Sequence, residues 1–137
     1  MTVFSFPYLE GKTKDGTSVF RPWVRIHLQG ADGDWSAFQL YADAGADITL
    51  LRSTDCQILG YQLEAGEMRL MSGVCSGLIR TFIHELPLRL GTEEFPCRVA
   101  FAERADVPRL LGRQQVFQCF KVCYDDVARL TQFFLRE

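Results

Sequence analysis

No stretch of this 137-residue sequence approaches the ~20 consecutive apolar residues that a membrane-spanning helix needs. Its opening residues, Met-Thr-Val-Phe-Ser-Phe-Pro, lack the basic segment and apolar run of an export signal. A cytoplasmic protein is the expectation. Clustered positive charge is missing as well: 15 Lys and Arg stand against 17 Asp and Glu, for a net charge of -2, and the basic residues are scattered singly. Without a basic patch there is no electrostatic footprint for a phosphate backbone or an anionic bilayer, so neither nucleic acid nor a membrane is expected as a partner. Histidine is scarce, and the two present, His27 and His84, both lie in apolar strand-like runs. The cysteines, Cys56, Cys75, Cys97, Cys119 and Cys123, are odd in number and include no Cys-X-X-Cys pair, which argues against a disulfide framework and a zinc knuckle. Cys119 and Cys123 have the spacing of one helix face, but two isolated histidines do not complete a metal site with them. No metal and no cofactor is expected, and the thiols are expected to be reduced.

What is present is a globular composition, 47% hydrophobic, 12% aromatic and 23% charged, in a length that suits one domain. A chain of this size has a modest core, and a second copy would help to stabilise it. Glycines and short polar clusters fall between apolar runs at Gly30, Gly33, Gly60, Gly66, Gly73, Gly77 and Gly91, the punctuation of a mainly β protein. Residues 23–28 alternate as a half-buried strand and residues 36–42 do the same beyond a turn, so the two predict a hairpin. Residues 68–82 carry Gly73 and Gly77 at the centre of a second hairpin, and residues 83–90 and 95–101 flank a turn that opens at Gly91. One short helix is expected from Leu111 through Phe117. Near the C-terminus Val127, Leu130, Thr131 and Phe134 have helical spacing, whereas Asp125-Asp126 reads as a turn and the residues after Thr131 have strand composition.

One stretch does not fit this pattern of strands and turns. Residues 41–51, Tyr-Ala-Asp-Ala-Gly-Ala-Asp-Ile-Thr-Leu-Leu, set two aspartates around a glycine between an apolar approach and an apolar exit. Asp and Gly are common turn formers, and a turn accounts for the composition alone. Its place matters more, because Asp43 falls where one strand ends and residues 48–51 resume apolar character. That puts a carboxyl at a strand-loop-strand junction in the core.

Asp43-Ala44-Gly45-Ala46-Asp47 with Ile-Thr-Leu-Leu after it, followed downstream by Leu110-Leu111-Gly112-Arg113 with Phe117 and Phe120, resembles the retropepsin-like aspartic proteases, the family of the retroviral proteases and their cellular relatives. The similarity runs over residues 22–135 and includes Leu59-Gly60 and a glycine-bearing flap. The resemblance implies an all-β acid-protease fold: a closed, barrel-like subunit with one short C-terminal helix, paired as a two-fold homodimer. It divides the chain into an N-terminal arm of unassigned role, residues 1–21, and a retropepsin-like domain, residues 22–137, and it favours a terminal strand in the tail.

The resemblance also implies the chemistry. Each subunit of the family contributes one Asp-Thr-Gly or Asp-Ser-Gly loop, so Asp43 is expected to be catalytic in a loop completed by Ala44, Gly45 and Ala46. Two carboxyls about 3 Å apart cannot both ionise, so the pair keeps one proton and supplies an acid and a base together. Asp47 and Arg113 are implied as a buried intrasubunit ion pair whose truncation costs ~3 to 5 kcal/mol; the residues alone allow two unrelated surface charges. Gly73, Val74, Cys75, Ser76 and Gly77 are implied as a flap that closes over an extended peptide, with main-chain bonds in the manner of strand addition. Cys75 has no histidine placed by sequence to activate it as a nucleophile. The expected function is therefore an aspartic endopeptidase acting on a peptide or protein substrate. Ala44 departs from the family, whose Thr or Ser hydroxyl reaches across the two-fold axis. A catalytically silent module for dimerisation or peptide binding is the alternative, and a small β-barrel for a hydrophobic ligand is a third reading.

Overall fold

The computed structural model describes residues 1–73 and 77–137. Its strands and helices run in the order β1 (Val3–Pro7), β2 (Leu9–Lys12), β3 (Ser18–Arg21), β4 (Trp23–Gln29), β5 (Trp35–Ala42), β6 (Thr49–Arg52), α1 (Ser53–Leu59), β7 (Glu67–Met71), β8 (Ile79–Leu90), β9 (Glu93–Ala102), β10 (Leu110–Leu111), α2 (Val116–Cys119), β11 (Phe120–Asp125) and β12 (Leu130–Leu135), with a three-ten turn at Leu63–Ala65. The all-β reading holds, and so do its hairpins. Period-two alternation forms β4 and β5: Val24, Ile26 and Leu28 are buried, as are Phe38, Leu40 and Ala42 opposite, while Arg25 and Gln39 face solvent in register with each other. His27 and His84 lie in β4 and β8 as expected; His84 Nε2 bonds the Leu63 carbonyl at 3.0 Å and its ring meets Phe101 edge-on.

Seven strands form the main sheet in the order β4-β5-β10-β6-β9-β8-β7, and β4 also pairs with β8. β6 sits inside this sheet, parallel to β9 and antiparallel to β10, and its Thr49, Leu50 and Leu51 are all buried. Burial on both faces is why residues 48–51 show no polar-apolar alternation, with the one polar side chain, Thr49, buried as well. A second sheet, β1-β12-β11, carries Phe4 and Phe6 against Phe120 and Phe133 in edge-on pairs with centroids 6.1 and 5.7 Å apart. β2 and β3 form a separate hairpin. The tail is the expected terminal strand. Asp125 Oδ1 accepts from the Val127 and Ala128 N–H groups, which closes the β11–β12 turn and leaves Val127 exposed.

The helices require corrections. The expected helix from Leu111 to Phe117 begins only at Val116, because Leu110 and Leu111 are drawn into the sheet between β5 and β6 as β10. It is also not the sole helix: α1 was missed, although Gly60 after Leu59 is a terminator signal. Gly60 takes φ 79° and its N–H closes on the Cys56 and Gln57 carbonyls, a left-handed cap that glycine adopts at least cost. Cys119 and Cys123 do not share a helix face, since Cys119 ends α2 and Cys123 lies in β11.

Candidate active site

The site begins where β5 stops. The Asp43 N–H donates to the Leu111 carbonyl at 3.0 Å, the last rung of the parallel β5–β10 ladder, and the chain then turns. The Asp43 carboxyl faces back onto that turn, with Oδ1 accepting from the Gly45 N–H at 2.8 Å while the Asp43 carbonyl accepts from the Ala46 N–H at 3.2 Å. Two further bonds tie the far side of the loop to the Gly112-Arg113 segment: Arg113 N–H to the Ala46 carbonyl and Gln114 N–H to the Asp47 carbonyl, each 2.9 Å. Gly112 lies flat on this seam. A Cβ there would stand 2.3 Å from the Ile48 carbonyl carbon, so no side chain fits without moving backbone, and the freed space lets Gly112 N–H reach Thr49 Oγ1 at 3.1 Å. The two sequence motifs are thus the two sides of one hydrogen-bonded unit.

Asp43, Gly45, Ala46 and Asp47 line one side of a cavity of about 410 Å³, with Ile48, Leu50 and Leu110 adding apolar surface. Met71, Ser72 and Gly73, at the end of β7, line it too. These flanks belong to the hairpin that β7 and β8 make in register Met71↔Ile79, and Gly73 and Gly77 have φ of 89° and 84°. Val74, Cys75 and Ser76, expected at the flap tip, lie outside the described residues. Ala44 is exposed at the apex of the loop that carries Asp43.

Asp47 and Arg113 do form an ion pair, Arg113 Nη2 to Asp47 Oδ1, but it is not buried: the side chains are 76% and 53% exposed in the chain. Water screens such a pair, and long side chains lose entropy to make it. Arg113→Ala is therefore expected to change the unfolding free energy of the chain by only ~0 to 1 kcal/mol, in place of the ~3 to 5 kcal/mol expected for a buried pair. Urea denaturation at a concentration that keeps the chain monomeric measures this.

The buried pair is elsewhere, and sequence reasoning missed it. Asp55 in α1 is 1% exposed, and its carboxylate grips Arg109 in a fork, Nε to Oδ2 and Nη2 to Oδ1 at 3.0 Å each. Oδ2 also accepts the Arg52 N–H at 3.0 Å. The bonded carboxylate pushes the Arg109 pKa up. Asp55 two residues inside a helix start was a readable signal, but nothing local marked Arg109 as its partner. A second residue missed is Tyr124 in β11, whose hydroxyl donates to the Ala42 carbonyl at 3.0 Å, one residue before Asp43. Burial first, then the charge of Asp43, push its phenol pKa up to about 12.

Among the described residues no group of three or more His, Cys, Asp or Glu is placed to hold a metal ion, and no helix is long and apolar enough to cross a membrane. Cys56 and Cys97 are buried free thiols, and desolvation raises their pKa values to about 11 and about 12, which disfavours the nucleophilic thiolate.

No family model matches the chain. Over 92 residues it is 27% identical to DNA damage-inducible protein 1 of Yarrowia lipolytica, a match that takes in 66% of this chain but only 22% of that protein. Among solved structures, a retropepsin-like aspartic protease from Rickettsia conorii superposes with a TM-score of 0.63 at 18% identity, covering 96% of this chain and 91% of the other. The EIAV protease, complexed with the inhibitor HBY-793, does so with a TM-score of 0.52 at 20% identity over 72% of this chain and 86% of the protease. The resemblance read in residues 43–51 and 110–113 thus extends to the backbone as a whole, and the chain has the fold of the retropepsin-like aspartic proteases.

Proposed function

We propose that this protein is an aspartic endopeptidase acting as a two-fold homodimer, with one Asp43 from each chain facing the other across the axis. The observation that carries the reading is the position of the Asp43 carboxyl. It sits on a loop bonded on both sides to the Gly112 segment, and it opens into a cleft whose other wall is the end of β7. Of the two carboxyls one is charged and one protonated at working pH. The charged one takes a proton from a water held between them, the resulting hydroxide adds to the peptide carbonyl carbon, and the protonated one gives its proton to the carbonyl oxygen. The proton taken from water then goes to the amine nitrogen as the C–N bond breaks, while the second carboxylate takes back a proton from a diol hydroxyl, leaving a carboxylic acid and restoring the singly protonated pair.

Ile48, Leu50, Met71 and Leu110 favour apolar side chains beside the scissile bond, and a peptide or protein is the substrate class that an extended cleft beneath a β-hairpin suits. Asp47 and Arg113 hold the outer side of the loop, and residues 73–77 are the flap. The β4–β8 pairing, His27↔Arg89 and Leu28↔Leu88, supports a closed, barrel-like subunit. Because each chain holds half a site, cleavage of casein per chain is expected to fall on dilution through the dimer dissociation range, followed by sedimentation in parallel. A rate per chain that stays constant in a proven monomer goes against the reading. One observation favours a silent peptide-binding module: the exposed Ala44 has no hydroxyl to offer a partner loop.

A further inference from the structure

Ala44 leaves the catalytic loop without a side-chain hydroxyl of its own, yet the loop is not without one. β11 runs past the end of β5, and Tyr124, 82 residues away in sequence, places its Oη 3.0 Å from the carbonyl of Ala42. Ala42 is buried, so that carbonyl is poorly served by water, and an unmet acceptor there would be costly. The negative charge of Asp43 also bears on the phenol. The hydroxyl therefore anchors the residue directly before Asp43, at the point where the chain leaves β5 for the loop. We propose that Tyr124 is a positioning residue, whose hydroxyl holds the backbone at Ala42 from within the same chain and thereby sets the direction of the Asp43 carboxyl. The hold comes from β11 and not from position 44, which explains how a loop with alanine at its apex keeps a defined geometry. The contact is intrachain, so it persists in the monomer and presents a preformed half-site to a second chain. Burial and the nearby carboxylate keep the phenol protonated, hence a donor, well above neutral pH. As it concerns catalysis, the inference rests on the endopeptidase reading.

Tyr124→Phe removes the donor and keeps the ring. Tyr61→Phe is the control, since the Tyr61 hydroxyl bonds the Gln29 carbonyl at 2.7 Å and lies outside the loop. Two readouts are compared on the full chain: amide hydrogen exchange over residues 42–46, and the pH profile of casein cleavage. The expected result is faster exchange at 42–46 in Tyr124→Phe and not in Tyr61→Phe. With it come a kcat lowered about 10- to 100-fold at little change in KM and a displaced limb of the pH profile, since small misplacements of a reacting group are amplified in rate. Unchanged exchange overturns the proposal whatever the activity does. Faster exchange with kcat and pH profile equal to the parent overturns the positioning role. If the parent itself does not cleave, or cleaves equally as Asp43→Asn, the endopeptidase reading fails on its own, and the exchange comparison still decides whether the hydroxyl holds the loop.

Discussion

Asp43→Asn is expected to lower peptide cleavage by at least about 10³-fold while the chain folds as before, because in the proposed dimer the substitution deletes acid and base from both halves of the site at once and each such role is worth ~10² to 10⁴. Asparagine suits the test for a structural reason. Its side-chain oxygen can still accept the Gly45 N–H bond that Asp43 Oδ1 now receives at 2.8 Å, so loop geometry and activity are separated. The parent should show a bell-shaped dependence of rate on pH whose two limbs belong to the pair of carboxyls and not to either residue, since the two titrations are coupled. Casein cleavage across pH, with thermal unfolding of both proteins, measures the two consequences. Cleavage by the variant within tenfold of the parent at every pH would mean that another group cuts the bond. Cys56 and Cys97 are poor candidates for that, as buried thiols held in the protonated form.

Asp55→Ala is expected to be the costliest single substitution for stability among the ion pairs, about 3 kcal/mol, and to lower Tm by about 10 °C. The figure sits at the low end for a broken buried pair because Arg109 keeps a third of its side chain in water. What is lost goes beyond the fork to Arg109. The Arg52 N–H at the start of α1 loses its acceptor, and Arg109 is freed directly before the β10 strand that carries Leu110 and Leu111 into the sheet. Arg113→Ala provides the contrast, since its pair is exposed and its expected change is ~0 to 1 kcal/mol. Chemical denaturation of the two variants ranks them, and an equal loss in both would show that burial does not govern the difference.

Local pattern by itself determined a good deal of this protein. Alternation along residues 23–28 and 36–42 encodes a strand's two faces, so β4, β5 and their hairpin were legible, and the glycines at 73, 77 and 91 marked where the other hairpins reverse. The loop around Asp43 was legible because an acid and a glycine inside an apolar run conflict with burial unless something is gained. Other features came from contacts between distant segments, which leave no periodicity to read. Leu111 looked like a helix start, but with Leu110 it became β10 because β5 and β6 each offered an open edge to the pair. That Asp55 and not Asp47 is in the buried pair depended on how α1 packs, since the two carry the same carboxylate and differ in what covers them. The Tyr124 contact to Ala42 and the pairing of β1 with β12 join residues 82 to 131 positions apart, so only the folded chain brings them together. The sequence thus determined which residues could form strands and where chemistry could sit; the tertiary structure decided the neighbours of each, because burial and hydrogen-bond partners are properties of the assembled sheets.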